Sequence, residues 1–181
     1  MKKIKILIPI YNDWQSVIKL LKNINAKVSS LDCEFSVVIV NDASTEDRPK
    51  LYADLKNLKS IQIINMKENK GHARCNAVGL KHINEKEDFD CVIPMDGDGE
   101  DRPEELNLLI KKIKDYPNIV VTANRIKRSE GLIFKFCYLV HKCLTLIFTG
   151  QKIKYGNYTC LPNSVVSKMV NEPATWSSFS G

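Results

Sequence analysis

Phe89-Asp90-Cys91-Val92-Ile93-Pro94-Met95-Asp96-Gly97-Asp98-Gly99-Glu100-Asp101-Arg102-Pro103-Glu104-Glu105 decides how this chain is read. The mostly apolar run to Met95 suits a buried strand. Arg102 to Glu105 opens a helix, because proline fits a first helical turn and carboxylates are stabilised beside a helix N-terminus. The acidic cluster between them therefore stands at the C-terminal edge of a strand, where open α/β sheets hold their ligands. Side chains two apart on an extended segment face the same way, so Asp96 and Asp98 are expected to aim at one point. Two anions held together favour a divalent cation. Magnesium or manganese fits, since such ions are commonly bound by one or two carboxylates plus the phosphates of a substrate.

Other readings of the cluster fare less well. A calcium loop would need Gly where Asp101 stands and Glu where Asn107 stands. A dinucleotide fingerprint would need a third glycine in the place of Arg102. A plain solvated turn that caps a helix stays open on the cluster alone, and the rest of the chain weighs against it.

Working outward, apolar runs alternate with helical patterns. Ile4 to Ile10, Phe35 to Asn41, Ser60 to Asn65, Cys91 to Met95 and Asn118 to Ala123 are rich in Ile and Val and read as strands. Trp14 to Asn25 carries an apolar stripe at Trp14, Val17, Ile18, Leu21 and Ile24. Gly71 to Ile83, Arg102 to Lys114 and the shorter Arg48 to Leu55 complete the helices. This alternation predicts an α/β fold with a mostly parallel sheet covered by helices. Pro94 donates no ladder hydrogen bond and is expected at a strand end. With 181 residues and 44% apolar content the chain can bury one sizeable core, so a single domain is expected. Six cysteines without a Cys-x-x-Cys pair suit a reduced intracellular chain.

Three strand ends carry polar groups that should meet along one sheet edge: Pro9-Ile10-Tyr11-Asn12-Asp13, Asn41-Asp42-Ala43-Ser44-Thr45-Glu46-Asp47, and Asp96-Gly97-Asp98. Each alone fits turn chemistry. A fourth stretch, Glu68-Asn69-Lys70-Gly71-His72-Ala73-Arg74-Cys75-Asn76-Ala77-Val78-Gly79-Leu80, brings small residues for close helix–sheet contact and the positive charges of Lys70 and Arg74.

In this order the four stretches resemble the family 2 glycosyltransferases, and within them the branch of dolichol-phosphate mannose synthases and bacterial polyprenyl-phosphate glycosyltransferases. The resemblance covers nearly the whole chain and thins beyond Arg128. It implies the GT-A fold, a Rossmann-like, mostly parallel sheet flanked by helices in one domain. Residues 1–125 would form the nucleotide-sugar and metal-binding core, and residues 126–181 an acceptor-side segment. The resemblance further implies that Pro9, Tyr11 and Asn12 line the nucleotide pocket and that Asp42 bonds the base or ribose. Lys70 and Arg74 would lie beside the nucleotide, with Asp96 shared between ribose and metal and Asp98 as the direct metal ligand. Asp98 and Asp101 would be catalytic acidic positions, while Arg125 and Arg128 would reach phosphate groups of donor or acceptor. The implied reaction moves a sugar from a nucleotide donor, UDP- or GDP-linked, with inversion and with magnesium or manganese as cofactor.

Two departures stand out. Where many members carry an Asp-aromatic-Arg run, this chain has Gly156-Asn157-Tyr158-Thr159, and it ends at Gly181, shorter than most members, as a truncated piece would. Charge placement bears on the acceptor. The net charge is +6, and residues 125–155 hold seven basic residues against Glu130 alone. Leu132 to Phe148 is apolar except for Lys135, His141, Lys142 and Thr145, and Arg128, Lys135, Lys142 and Thr149 recur every seven residues as one polar stripe. Spanning a bilayer takes roughly 20 apolar residues. The run is better suited to lie in a membrane surface, where each basic residue contributes about 1 kcal/mol beside anionic lipid. A core-covering helix whose lysines reach water is the plain alternative. No nucleic-acid motif accompanies the basic segment, so nucleic acid is not expected as a partner.

The expected protein is a glycosyltransferase at the cytoplasmic face of the membrane, peripheral to it, with polyprenyl phosphate as acceptor. A sugar hydroxyl in a glycan or glycolipid is the second choice, and a nucleotide- and metal-binding subunit without turnover the third. Sugar nucleotidyltransferases share the fold type but would show a glycine-rich basic loop after the first strand. Pro9 to Asp13 offers none.

Overall fold

Strand β1, Lys2–Ile10, sends Ile4, Ile6 and Ile8 to one face of the sheet and Leu7 to the other, and all four are fully buried. That two-sided burial is what a central parallel strand demands, and it accounts for the unbroken apolar run. The structure is a computed structural model that describes residues 1–49, 55–123, 140 and 158–177. Next come α1, Trp14–Val28; β2, Cys33–Asn41; β3, Ser60–Asn65; and α2, His72–Lys86. β4, Cys91–Pro94, leads through a 3₁₀ turn at Pro103–Glu105 into α3, Leu106–Asp115. β5, Val121–Thr122; β6, Thr159–Pro162; α4, Asn163–Met169; and α5, Pro173–Ser177, complete the described elements.

The sheet runs in the order β3-β2-β1-β4-β6-β5. The first four are mutually parallel, and β6 is antiparallel to both β4 and β5. On one face Trp14, Val17, Leu21 and Ile24 of α1 and Leu106 and Ile110 of α3 pack against Ile4, Ile6 and Ile8. On the other, Leu80 and Ile83 of α2 and Val166 of α4 pack against Leu7, Val38 and Val40. Each such side chain contributes about 1.5–3 kcal/mol when fully buried, against about 1 kcal/mol for a typical hydrogen bond. The scaffold is therefore set by these two apolar layers, and loop chemistry at the sheet edge can vary upon it.

The first four strands and the three longer helices appear where the apolar patterns place them. Pro94 ends β4 and pairs with Leu7, while the β4–β6 ladder covers only Cys91 and Val92, so its missing N–H breaks no bond to β6. The fifth expected strand is shorter than Asn118 to Ala123. Only Val121 and Thr122 pair, with Cys160 and Thr159, and Ile119 and Val120 stay exposed at the sheet edge. β6, α4 and α5 have no counterpart in the sequence reading, because Thr159 to Pro162 is too short for an alternation signal. Of the expected Arg48–Leu55 helix, residues 50–54 lie outside the described residues, as does the basic run from Leu132 to Phe148 apart from Val140.

Candidate active site

β1 ends at Ile10, β2 at Asn41 and β4 at Pro94, and their register brings the loops that follow to one edge of the sheet. A cleft of about 400 Å³ opens there, within the usual range for small-molecule sites. Pro9, Ile10 and Val17 give it an apolar wall, and the half-exposed ring of Tyr11 stands beside them. Asp13, His72, Asp96 and Asp98 supply its polar side.

Asp96 and Asp98 share the cleft, but not by the expected route. The segment leaves β4 at Pro94 and turns at Gly97 and Asp98 instead of continuing extended. The Asp98 carboxylate accepts the Glu100 N–H at 2.8 Å, which holds the turn. Gly97 makes it sterically feasible, because a Cβ there would lie 3.1 Å from Val17 Cγ2 and 3.3 Å from the Pro9 carbonyl oxygen. Asp101 sits behind the turn, 2% exposed, and its Oδ2 accepts the Asp96 N–H at 2.9 Å. It braces the acidic loop and does not line the cleft. Tyr158, buried beneath, donates its hydroxyl to the Arg102 carbonyl at 3.4 Å, and burial pushes its phenol pKa up.

Other expected positions also have structural partners. Asn12 does not line the cleft: its Oδ1 accepts the N–H groups of Thr45 and Glu46, and its own N–H donates to Ser44 Oγ at 2.9 Å, tying the β1 and β2 loops together. Asn12 and Ala43 both adopt positive φ, 51° and 56°, in these coupled loops. Asp42 is 3% exposed, and its two oxygens take the Lys70 and Gly71 N–H groups at 2.8 Å each. The adjacent Cys75 thiol is pushed up to about 12 by burial and by its hydrogen bond to Asp42. Lys70 pairs with Glu68 at 2.6 Å, Arg74 stacks 5.6 Å from the Trp176 ring centroid on α5, and neither is among the residues lining this cleft. Arg125, Arg128 and Asn157 lie outside the described residues.

His72 and Asp13 are cleft residues that the sequence did not single out for a role. His72 Nε2 lies 2.9 Å from Asp96 Oδ1, and that hydrogen bond is the main cause raising the imidazole pKa. Its position directly after Gly71 at a helix start was visible in sequence. Its partner 24 residues away was not. Among the described residues no three His, Cys, Asp or Glu side chains gather to hold an ion unaided. Asp96 and Asp98 on one cleft fit magnesium or manganese whose remaining ligands are phosphate and water.

The family model described as "Glycosyl transferase family 2" matches residues 5–164. The undecaprenyl-phosphate 4-deoxy-4-formamido-L-arabinose transferase of Klebsiella pneumoniae is 23% identical over 162 residues, covering 88% of this chain and 47% of that protein. The chain thus spans about half the length of the curated relatives it matches. Among solved structures, the mannosyltransferase PcManGT of Pyrobaculum calidifontis, in complex with GDP-Man and Mn²⁺, superposes with a TM-score of 0.60 at 18% identity over 93% of this chain and 46% of that one. Glucosyl-3-phosphoglycerate synthase of Mycobacterium tuberculosis, with Mn²⁺, UDP and glucosyl-3-phosphoglycerate, gives 0.62 at 13% identity over 90% of this chain and 57% of that one. These likenesses establish the GT-A arrangement of sheet and helices.

Proposed function

The chain belongs to glycosyl transferase family 2, and from that premise we propose that it moves a sugar from a UDP- or GDP-linked donor to an acceptor with magnesium or manganese as cofactor. The observation that carries this reading is the meeting of Asp96 and Asp98 with Pro9 and Tyr11 on one cleft at the sheet edge. Tyr11 and Pro9 offer an aromatic face and an apolar wall to a nucleobase. Asp96 and Asp98 on the same cleft would hold the cation, Asp98 as the more exposed of the two. Bound there, the ion would act as a Lewis acid that neutralises charge on the departing diphosphate. Behind this surface Asp101 and Asp42 hold the loops in place, which keeps the carboxylates fixed while charge develops. Arg125 and Arg128 would supply guanidinium groups to the phosphates of donor or acceptor, a task that arginine suits.

Polyprenyl phosphate is the acceptor we favour. The Klebsiella pneumoniae relative is named for undecaprenyl phosphate. A phosphate monoester, with a second pKa of about 6, is already largely ionised near neutral pH and needs no deprotonation before attack, whereas a sugar hydroxyl does. The basic amphipathic run from Leu132 to Phe148 would then hold the protein at the cytoplasmic membrane face. No helix among the described residues is long and apolar enough to cross a membrane.

Calorimetry with UDP and GDP in the presence of manganese tests the site. Asp98→Asn keeps the side-chain size and removes its charge, so manganese-dependent affinity is expected to fall at least about tenfold, some 1.4 kcal/mol. Unchanged affinity would remove the metal-site assignment. Transfer from matching nucleotide sugars to undecaprenyl phosphate, compared with transfer to a soluble glycan, then distinguishes the two acceptor classes.

A further inference from the structure

We propose that His72 is a positioning residue of the donor site: its Nε2–H holds the Asp96 carboxylate facing the cleft, in the orientation that receives the metal–diphosphate end of the donor. This rests on the function proposed above and adds a residue that the resemblance does not supply.

Asp96 follows the end of β4 in a loop, and its Oδ1 lies within hydrogen-bond reach of the His72 ring. His72 is the first residue of a 15-residue helix packed into the core, so its ring starts from a rigid base. Asp42 reinforces that base by taking the N–H groups of Lys70 and Gly71, the two residues before it. The contact between Nε2 and Asp96 Oδ1 is 2.9 Å, and an ionised carboxylate only accepts, so Nε2 is the donor. One turn along α2, the amide nitrogen of the buried Asn76 lies 3.4 Å from Nδ1 and 3.2 Å from Nε2, against the side of the ring. One rigid helix, its start clasped by Asp42, thus bears on one loop carboxylate. Support of this kind for a ligating carboxylate typically changes metal affinity about 10- to 100-fold when removed.

Two variants separate orientation from bulk. His72→Phe keeps a ring and loses the donor, whereas His72→Gln places an amide N–H near the former Nε2. The His72 side chain is 48% exposed, so both variants are expected to fold with a ligand-free thermal midpoint close to wild type. The measurement is calorimetric affinity for UDP or GDP with and without manganese, using whichever nucleotide stabilises the wild type. His72→Phe is expected to weaken manganese-dependent binding about 10- to 100-fold, with His72→Gln restoring most of the loss. Wild-type affinity in His72→Phe, or equal losses in both variants, would overturn the proposal. Asp98→Asn, measured alongside, shows which idea has failed. If that variant keeps full manganese-dependent affinity, the donor-site reading falls; if it loses affinity while His72→Phe does not, only the role of His72 falls.

Discussion

At the end of β2, Asp42 is buried with each carboxylate oxygen 2.8 Å from a backbone N–H, those of Lys70 and Gly71. A buried acceptor so engaged belongs to the loop that starts α2, and removing it strands two donors. Asp42→Ala is therefore expected to lower stability without ligand by about 1–3 kcal/mol. For a chain of this length that corresponds to a thermal midpoint lowered by roughly 2–12 °C, readable by calorimetry. Any fall in nucleotide affinity should follow indirectly, through displacement of His72. A midpoint at the wild-type value together with lost nucleotide binding would return Asp42 to the direct base contact that its motif suggests. The sequence showed an Asp at a strand end; only burial and the positions of two distant N–H groups distinguish a clasp from a ligand contact. Lys70 and Arg74 teach the same point, since a cation near a candidate phosphate site in sequence can be taken up by Glu68 or by the face of Trp176.

Helix α2 approaches the sheet closely enough that Gly79 leaves no room for a side chain. A Cβ there would lie 2.2 Å from Leu7 Cδ1, 3.0 Å from Leu7 Cδ2 and 3.1 Å from Val40 Cγ2. Leu7 is fully buried in the central strand and has little freedom to yield. Gly79→Ala should accordingly destabilise by about 1–3 kcal/mol, beyond any gain in helix propensity. Because the clash is with one side chain, Leu7→Ala and Gly79→Ala combined should cost less than the sum of the two, a coupling measurable by urea unfolding. Strict additivity would show that the helix shifts bodily to absorb the methyl. The small-residue run from Gly71 to Gly79 indicated this close approach, because small side chains have few other reasons to cluster in a helix facing a sheet. β6 gave no such signal, as four residues paired across a long chain separation carry almost no periodicity.

Opposite the cleft, near the start of β1, the molecule holds a second polar cluster: Lys5 Nζ lies 2.7 Å from Glu87 Oε2, and Gln62 donates to Glu87 Oε1 at 2.6 Å, with His82 beside Gln62. The Lys5 and Glu87 side chains are 8% and 16% exposed. The hydrogen bond from Lys5 holds the Glu87 carboxyl below its ordinary pKa of 4.5, so its contribution is present above about that pH and is lost as pH falls through the lowered folded value. Glu87→Gln should destabilise on the order of 3 kcal/mol at pH 7 by leaving a buried lysine unpaired. The gap between wild type and variant should narrow below pH 4.5, and urea midpoints at pH 7 and pH 3.5 would show it. A pH-independent gap would place the interaction outside the folded ion pair. At this scale the sequence by itself determined the α/β architecture, the first four strands and the three longer helices, and the identity of Asp96 and Asp98 as cleft residues. Those features follow from local periodicity and from strand ends, which neighbouring residues dictate. Tertiary structure alone decided that Asp101, Asp42 and Asn12 brace the site from behind, that Arg74 leaves it for Trp176, and that His72 enters it. Apart from the Asp101 contact, each of these depends on partners 24 or more residues apart, which no local pattern in the chain encodes.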